Sequence, residues 1–93
     1  MKMSVTEAEV LALQALAFVA ADETLLPRFL ALTGMDGTDL RAAVSETGTL
    51  IAVLDFLMFD DASVIAFAEH AGVQPEAPGQ ARFRLAGPEV DPV

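Results

Sequence analysis

Few side chains in this sequence have the type and spacing that chemistry requires. Asp55 is the first of them, because it stands inside the most apolar stretch, residues 50–59. A buried ionised carboxylate is costly unless it is paired. Two readings follow: a proton-active acid set in an apolar pocket, or a carboxylate on the one wet strip of a helix, paired with Arg28 or Arg41, the basic residues of the helical body. His70 is the single histidine, with Glu69, Asp60 and Asp61 close in sequence. Zinc draws on several His or Cys ligands, so His70 reads as a side chain near the end of a helix. Asp36, Gly37 and Asp39 fall short of a calcium loop, which needs acids at alternate positions, a Gly at the sixth and a terminal Glu. No Gly-rich phosphate loop, nucleophile elbow or Ser–base pair is present. The expectation is no catalytic residue, no metal and no cofactor. Arg82-Phe83-Arg84-Leu85 is the one basic cluster; it reads either as a docking segment for another protein or as chain lying back on its own body. The candidate binding residues are therefore Asp55, Arg28, Arg41, Arg82, Phe83 and Arg84.

The whole-chain numbers narrow the classes further. At 93 residues the chain has room for one domain. It has no Cys, so neither disulfides nor thiolate metal sites can help hold it. With 54% hydrophobic residues it can offset much of the entropy of ordering. Five basic against 14 acidic residues give a net charge of -9. That balance disfavours nucleic acid and anionic membrane surfaces, both of which need clustered Lys and Arg. The apolar runs at 10–21 and 50–59 are broken by Gln14 and Asp55. Each is shorter than the roughly 18 residues of a spanning helix. Glu7 and Glu9 follow Lys2 where a secretory signal would be apolar. A cytoplasmic location is expected.

Local signals place the helices that would carry these residues. Thr6-x-x-Glu9 is a capping-box pattern opening a helix to about residue 21. Asp22 caps a second helix through residue 32; Pro27 draws its start toward Thr24, and Gly34 suits a left-handed end. A short helix at 37–44 is capped by Asp36 or Thr38. Thr47 caps a fourth at 48–59, and Asp60 a fifth at 61–71 that Gly72 ends. Residues 74–93 hold four of the five prolines and read as an irregular tail, with Ala81 to Leu85 docking on the body. The division expected is a helical bundle over 1–73 and a tail over 74–93.

A shift of 38 residues brings like onto like: Leu16 on Leu54, Phe18 on Phe56, Asp22 on Asp60, Phe29 on Phe67, Gly34 on Gly72. Two related helical hairpins packed on each other, an internal duplication, would produce this order; so would any two well-capped helix pairs. Both long helices are apolar nearly all round, so shorter neighbours must wrap them, or a second chain must cover what remains. The fold class is all-α, a compact bundle of about five helices.

The runs Ala15-Leu16-Ala17-Phe18, Ala21-Asp22-Glu23, Arg28-Phe29-Leu30-Ala31-Leu32-Thr33-Gly34 and Asp39-Leu40-Arg41 resemble a small alphaproteobacterial family, domain of unknown function 3572. Val53-Leu54-Asp55-Phe56-Leu57, Asp60-Asp61, Phe67-Ala68-Glu69 and Ala71-Gly72 continue the likeness, which covers about residues 8–77. It implies a helical, single-domain bacterial protein of the cytoplasm and brings no catalytic residues with it. Members tend to end in a Gly-containing segment with a late aromatic. Here Ala86-Gly87-Pro88 and the absence of Trp depart from that pattern.

Without catalytic groups, and with apolar helix surface in excess, the expected function is a non-enzymatic protein–protein interaction module. Its partner would be a basic protein, suited by charge complementarity, or a second copy forming a homodimer. The alternative is a small-ligand-binding protein or enzyme with an apolar pocket and Asp55 as its polar anchor.

Overall fold

In a computed structural model, which describes residues 3–87, the chain forms six helices and no strands among those residues. They are α1 (Val5–Ala20), α2 (Leu25–Thr33), α3 (Gly37–Ala42), α4 (Thr47–Met58), α5 (Asp61–Ala71) and α6 (Ala77–Ala86). The all-α compact bundle is as expected; the sixth helix is not. Among the described residues no single helix is long and apolar enough to cross a membrane, and α1 and α2 are bent by 112° at their junction.

The caps show why the helices start where they do. At α1 the capping box is Ser4 with Glu7, two residues before the Thr6–Glu9 pair expected: the Glu7 N–H donates to Ser4 Oγ at 3.0 Å and the Ser4 N–H to Glu7 Oε1 at 2.8 Å. Asp22 stands just outside α2, where its Oδ1 accepts from the N–H groups of Thr24 and Leu25 at 2.8 and 2.9 Å. Pro27 therefore lies in the first turn, where a missing N–H costs nothing. Asp36, not Thr38, caps α3, with Asp39 closing a second capping box. Glu46 precedes α4 without a side-chain cap, and Thr47 is already helical. Asp60 caps α5 through the Ala62 N–H at 3.3 Å. Gly34 and Gly72 end α2 and α5 at φ 74° and 72°, a left-handed conformation that side chains with a Cβ adopt at a cost.

α1 and α4 lie side by side at the centre. Leu11, Leu16 and Val19 of α1 meet Leu50, Val53, Leu54 and Leu57 of α4 in one apolar cluster. α2 folds back from α1 and sends Phe29 inward; α5 sends Phe67. The 38-residue offset is visible in these aromatics. Phe18 meets Phe67 edge-on at 5.5 Å and 68°, and Phe29 meets Phe56 at 5.3 Å and 65°. The offset carries one pair onto the other with the two helix pairs exchanged: Phe18 takes the place of Phe56 and Phe67 that of Phe29.

The main correction concerns the tail. Residues 77–86 form a helix packed along both α1 and α4, where irregular chain was expected. Pro78 is tolerated because it sits in the first turn. Ala77, Ala81 and Leu85 are buried in the same core cluster as the Ala8, Ala12 and Ala15 stripe of α1. Met58 Sδ would lie 3.6 Å from a Cβ placed on Gly79, while Asp55 pairs with Arg82. Positions rising along α6 meet positions falling along α4, so the two helices are antiparallel. Cover for the apolar centre thus comes largely from α6. Residues 88–93, the remainder of the expected tail, lie outside the described residues.

Candidate functional site

Asp55 is on α4, but its surroundings are not a dry pocket. Its side chain is half exposed and carries a two-pronged ion pair: Arg82 Nε donates to Oδ1 at 2.8 Å and Nη2 to Oδ2 at 3.3 Å. The partner is therefore Arg82 of α6, not Arg28 or Arg41. Sequence distance hid it, since Arg82 lies 27 residues away in a segment read as irregular. The hydrogen bond from Arg82 to Asp55, then the carboxylate's charge, holds the guanidinium above the ordinary arginine range. With both oxygens engaged, Asp55 acts as the fastener between α4 and α6.

The other candidates separate in space. Arg41 is exposed in the last turn of α3. Phe83 is 73% exposed on α6, and Arg84 is exposed beside it. Arg28 is exposed on α2 and lines a cleft with Asp60. His70, in the last turn of α5, lies against Phe18 with ring centres 5.5 Å apart. Among the described residues no three His, Asp or Glu side chains come together as a metal ligand set would.

The geometry adds residues that sequence reasoning passed over. An open cleft of about 480 Å³ lies between α2 and α4, lined by Phe29, Leu32, Thr33, Ala52, Asp55, Phe56 and Phe59. A second hollow of about 190 Å³ shares Leu32, Phe56 and Phe59 with it and extends to Leu25, Arg28, Asp60 and Ser63. The two make one groove, with the Asp55–Arg82 pair on one flank and the α5 cap on the other. On its rim Phe59 is 85% exposed and Leu32 66%. Phe59 is the C-cap residue of α4, directly before the Asp60 cap of α5. That position at the corner was the available signal.

The groove has a counterpart under the 38-residue offset. Phe29, Leu32 and Phe56 correspond to Phe67, His70 and Phe18. At the counterpart His70 lies over Phe18. At the groove Leu32 stands out from the surface instead, and the apolar floor is open.

No curated protein and no solved structure matches the sequence. A family described as a protein of unknown function does match, over residues 5–88, from the first residue of α1 to just beyond α6. The chain belongs to that family, DUF3572.

Proposed function

We propose that the protein is a non-enzymatic interaction module of the cytoplasm, and that its docking surface is the groove between α2, α4 and the start of α5. The observation that carries this reading is Phe59, exposed beside Leu32 over an open apolar floor. Large apolar side chains gathered at a groove are characteristic of interaction surfaces, and aromatic side chains, Phe among them, are enriched at protein–protein contacts. Expectation of a basic partner rests on the net charge of -9 alone; the groove's own rim balances Arg28 against Asp60.

A second reading, a small apolar ligand anchored by Asp55, draws on the position of Asp55 in the cleft wall. It is the weaker of the two, because the charge of Asp55 is already matched by Arg82. The test compares affinity purification of the tagged wild-type chain with that of Phe59→Asp. A protein retained by the wild type and lost by a variant that melts normally supports the reading. Identical sets of retained proteins would remove the groove from it.

A further inference from the structure

We infer that the groove's occupant is a second copy of this chain, in a twofold dimer that places Phe59 of each copy in the cleft of the other. This rests on the reading of the groove as a docking surface and names its partner. A twofold contact must be self-complementary, since the same patch serves both sides. The groove meets that condition in shape and in charge.

In shape, it carries both a projection and a hollow. Phe59 projects with 85% of its surface exposed, and the adjoining cleft measures about 480 Å³. A cavity of about 150 Å³ already holds benzene, so the cleft has ample room for a phenyl ring against Phe29, Leu32 and Phe56.

In charge, the groove is lined by Arg28, Asp60 and Asp55; Asp55 is paired with Arg82, which leaves one residue of each sign to face a second copy. Arg28 is on α2 and Asp60 at the start of α5, both lining the hollow that continues the cleft. Among the described residues the ion pair found is Arg82–Asp55, so Arg28 and Asp60 are not paired with each other. A twofold axis passing between Arg28 and Asp60 sets Arg28 of each copy toward Asp60 of the other. Among the described residues Asp60 accepts only from its own helix start, through the Ala62 N–H and the Ser63 hydroxyl. Such a pairing matters because the chain is so acidic. Two molecules of charge -9 repel over most of their surfaces. A rim balanced by Arg28 is where that repulsion is locally relieved.

Analytical ultracentrifugation of the purified full chain, alone, over a range of concentrations tests the inference. The wild type should form dimers at micromolar concentrations. Phe59→Asp should weaken the dimer about tenfold or more while melting like the wild type in dilute solution, where both are monomers, since Phe59 supports no core packing. Arg28→Glu sets like charges face to face, and so does Asp60→Lys; each should be monomeric alone. Mixed in equal amounts, these two should form a heterodimer. The glutamate introduced in one copy then meets the lysine introduced in the other, and the two unaltered side chains, Asp60 and Arg28, meet as in the wild type. Asp60→Ala, which gives up the same α5 cap without reversing the charge, controls for lost helix stability. A wild type that stays monomeric throughout would overturn the inference, as would a dimer indifferent to Phe59→Asp or a mixture no better than its components. A monomeric wild type that loses a captured protein on Phe59→Asp would leave the groove a docking surface with a different occupant. Loss of both results would remove the groove altogether.

Discussion

Ser4 and Thr6 stand two residues apart, and each is followed three positions later by a glutamate. Either pair could close a capping box, and the fold uses Ser4 with Glu7. The earlier start adds helical residues at small cost, because each residue added beyond the nucleus gains a backbone hydrogen bond. Ser4→Ala should therefore cost about 1 kcal/mol. Thr6→Ala, at an exposed position inside the helix, should change stability by less than about 0.5 kcal/mol. Urea unfolding of both variants measures the difference, and a larger loss at Thr6 would put the cap in the wrong place. Asp55 and Arg82 form the other contact that a residue-scale measurement can isolate. Both side chains are nearly half exposed, at 49% and 41%. Solvent screening holds such a pair to about 0.2–1 kcal/mol of coupling in a double-mutant cycle. The pH dependence has a definite sign. A cation whose ionisation is raised by folding stabilises fully below its unfolded range and loses that contribution only as pH rises through the folded one. For Arg82 both lie at or above the ordinary arginine range, so its share of the coupling should be equal at neutral and mildly alkaline pH and should shrink with added salt. A coupling that falls between those two pH values would contradict the assignment.

At the scale of the element, α6 has the largest consequence and was the least legible. The Asp60 start and Gly72 stop of α5 could be read from sequence because both are local chemistry: a carboxylate for free N–H groups, and a residue that takes positive φ. The aromatic offset was legible too, since it needs only residue types in order. The markers of α6 are weaker: Pro78 in its first turn, Arg84 in its last and Gly87 at its end. Pro75, Pro78 and Gly79 punctuate its beginning, and Glu76 precedes it without a side-chain cap. What stabilises it is tertiary: Ala77, Ala81 and Leu85 buried among α1 and α4, and Gly79 facing Met58. The groove was equally hidden. Phe56 and Phe59 belong to one apolar run, yet Phe56 is partly buried against Phe29 while Phe59 stands in solvent. Only the turn between α4 and α5 decides that difference. The dependence on α6 is testable by ending the chain at Val73. Such a chain leaves the faces of α1 and α4 that α6 covers open to water. It should lose its cooperative thermal transition by far-ultraviolet circular dichroism and bind a hydrophobic dye, as loosely packed helical states do. A sharp transition within a few degrees of the full chain would show that α6 is an accessory.

At the scale of the molecule, the determining quantity is a charge of -9 on a body of 39 × 26 × 19 Å. Many of the acids serve their own helices: Glu7, Asp22, Asp36, Asp39 and Asp60 each accept hydrogen bonds at a helix start. Their mutual repulsion remains, and its reach depends on salt. The screening length is about 30 Å at 0.01 M salt and about 8 Å at 0.15 M. In the first case nearly every acid feels every other across this body; in the second only neighbours do. Folding draws the charges together, so raising salt from the lower to the higher value should stabilise the native state. The opposing losses are small, since surface pairs and charges at helix ends contribute only tenths of a kcal/mol each and are the contacts that salt weakens. If the balance gains about 1 kcal/mol, the melting temperature rises by about 4–8 °C for a domain of this size. The same screening acts between copies. Two chains paired across the groove carry twice the charge, so salt should strengthen the dimer, and melting should then rise with protein concentration as well, because association stabilises the folded chain by mass action. A melting temperature that falls with salt would mean that the caps and the Asp55–Arg82 fastener outweigh the repulsion among the acids. One that rises with salt but ignores protein concentration would confine the effect to the single chain.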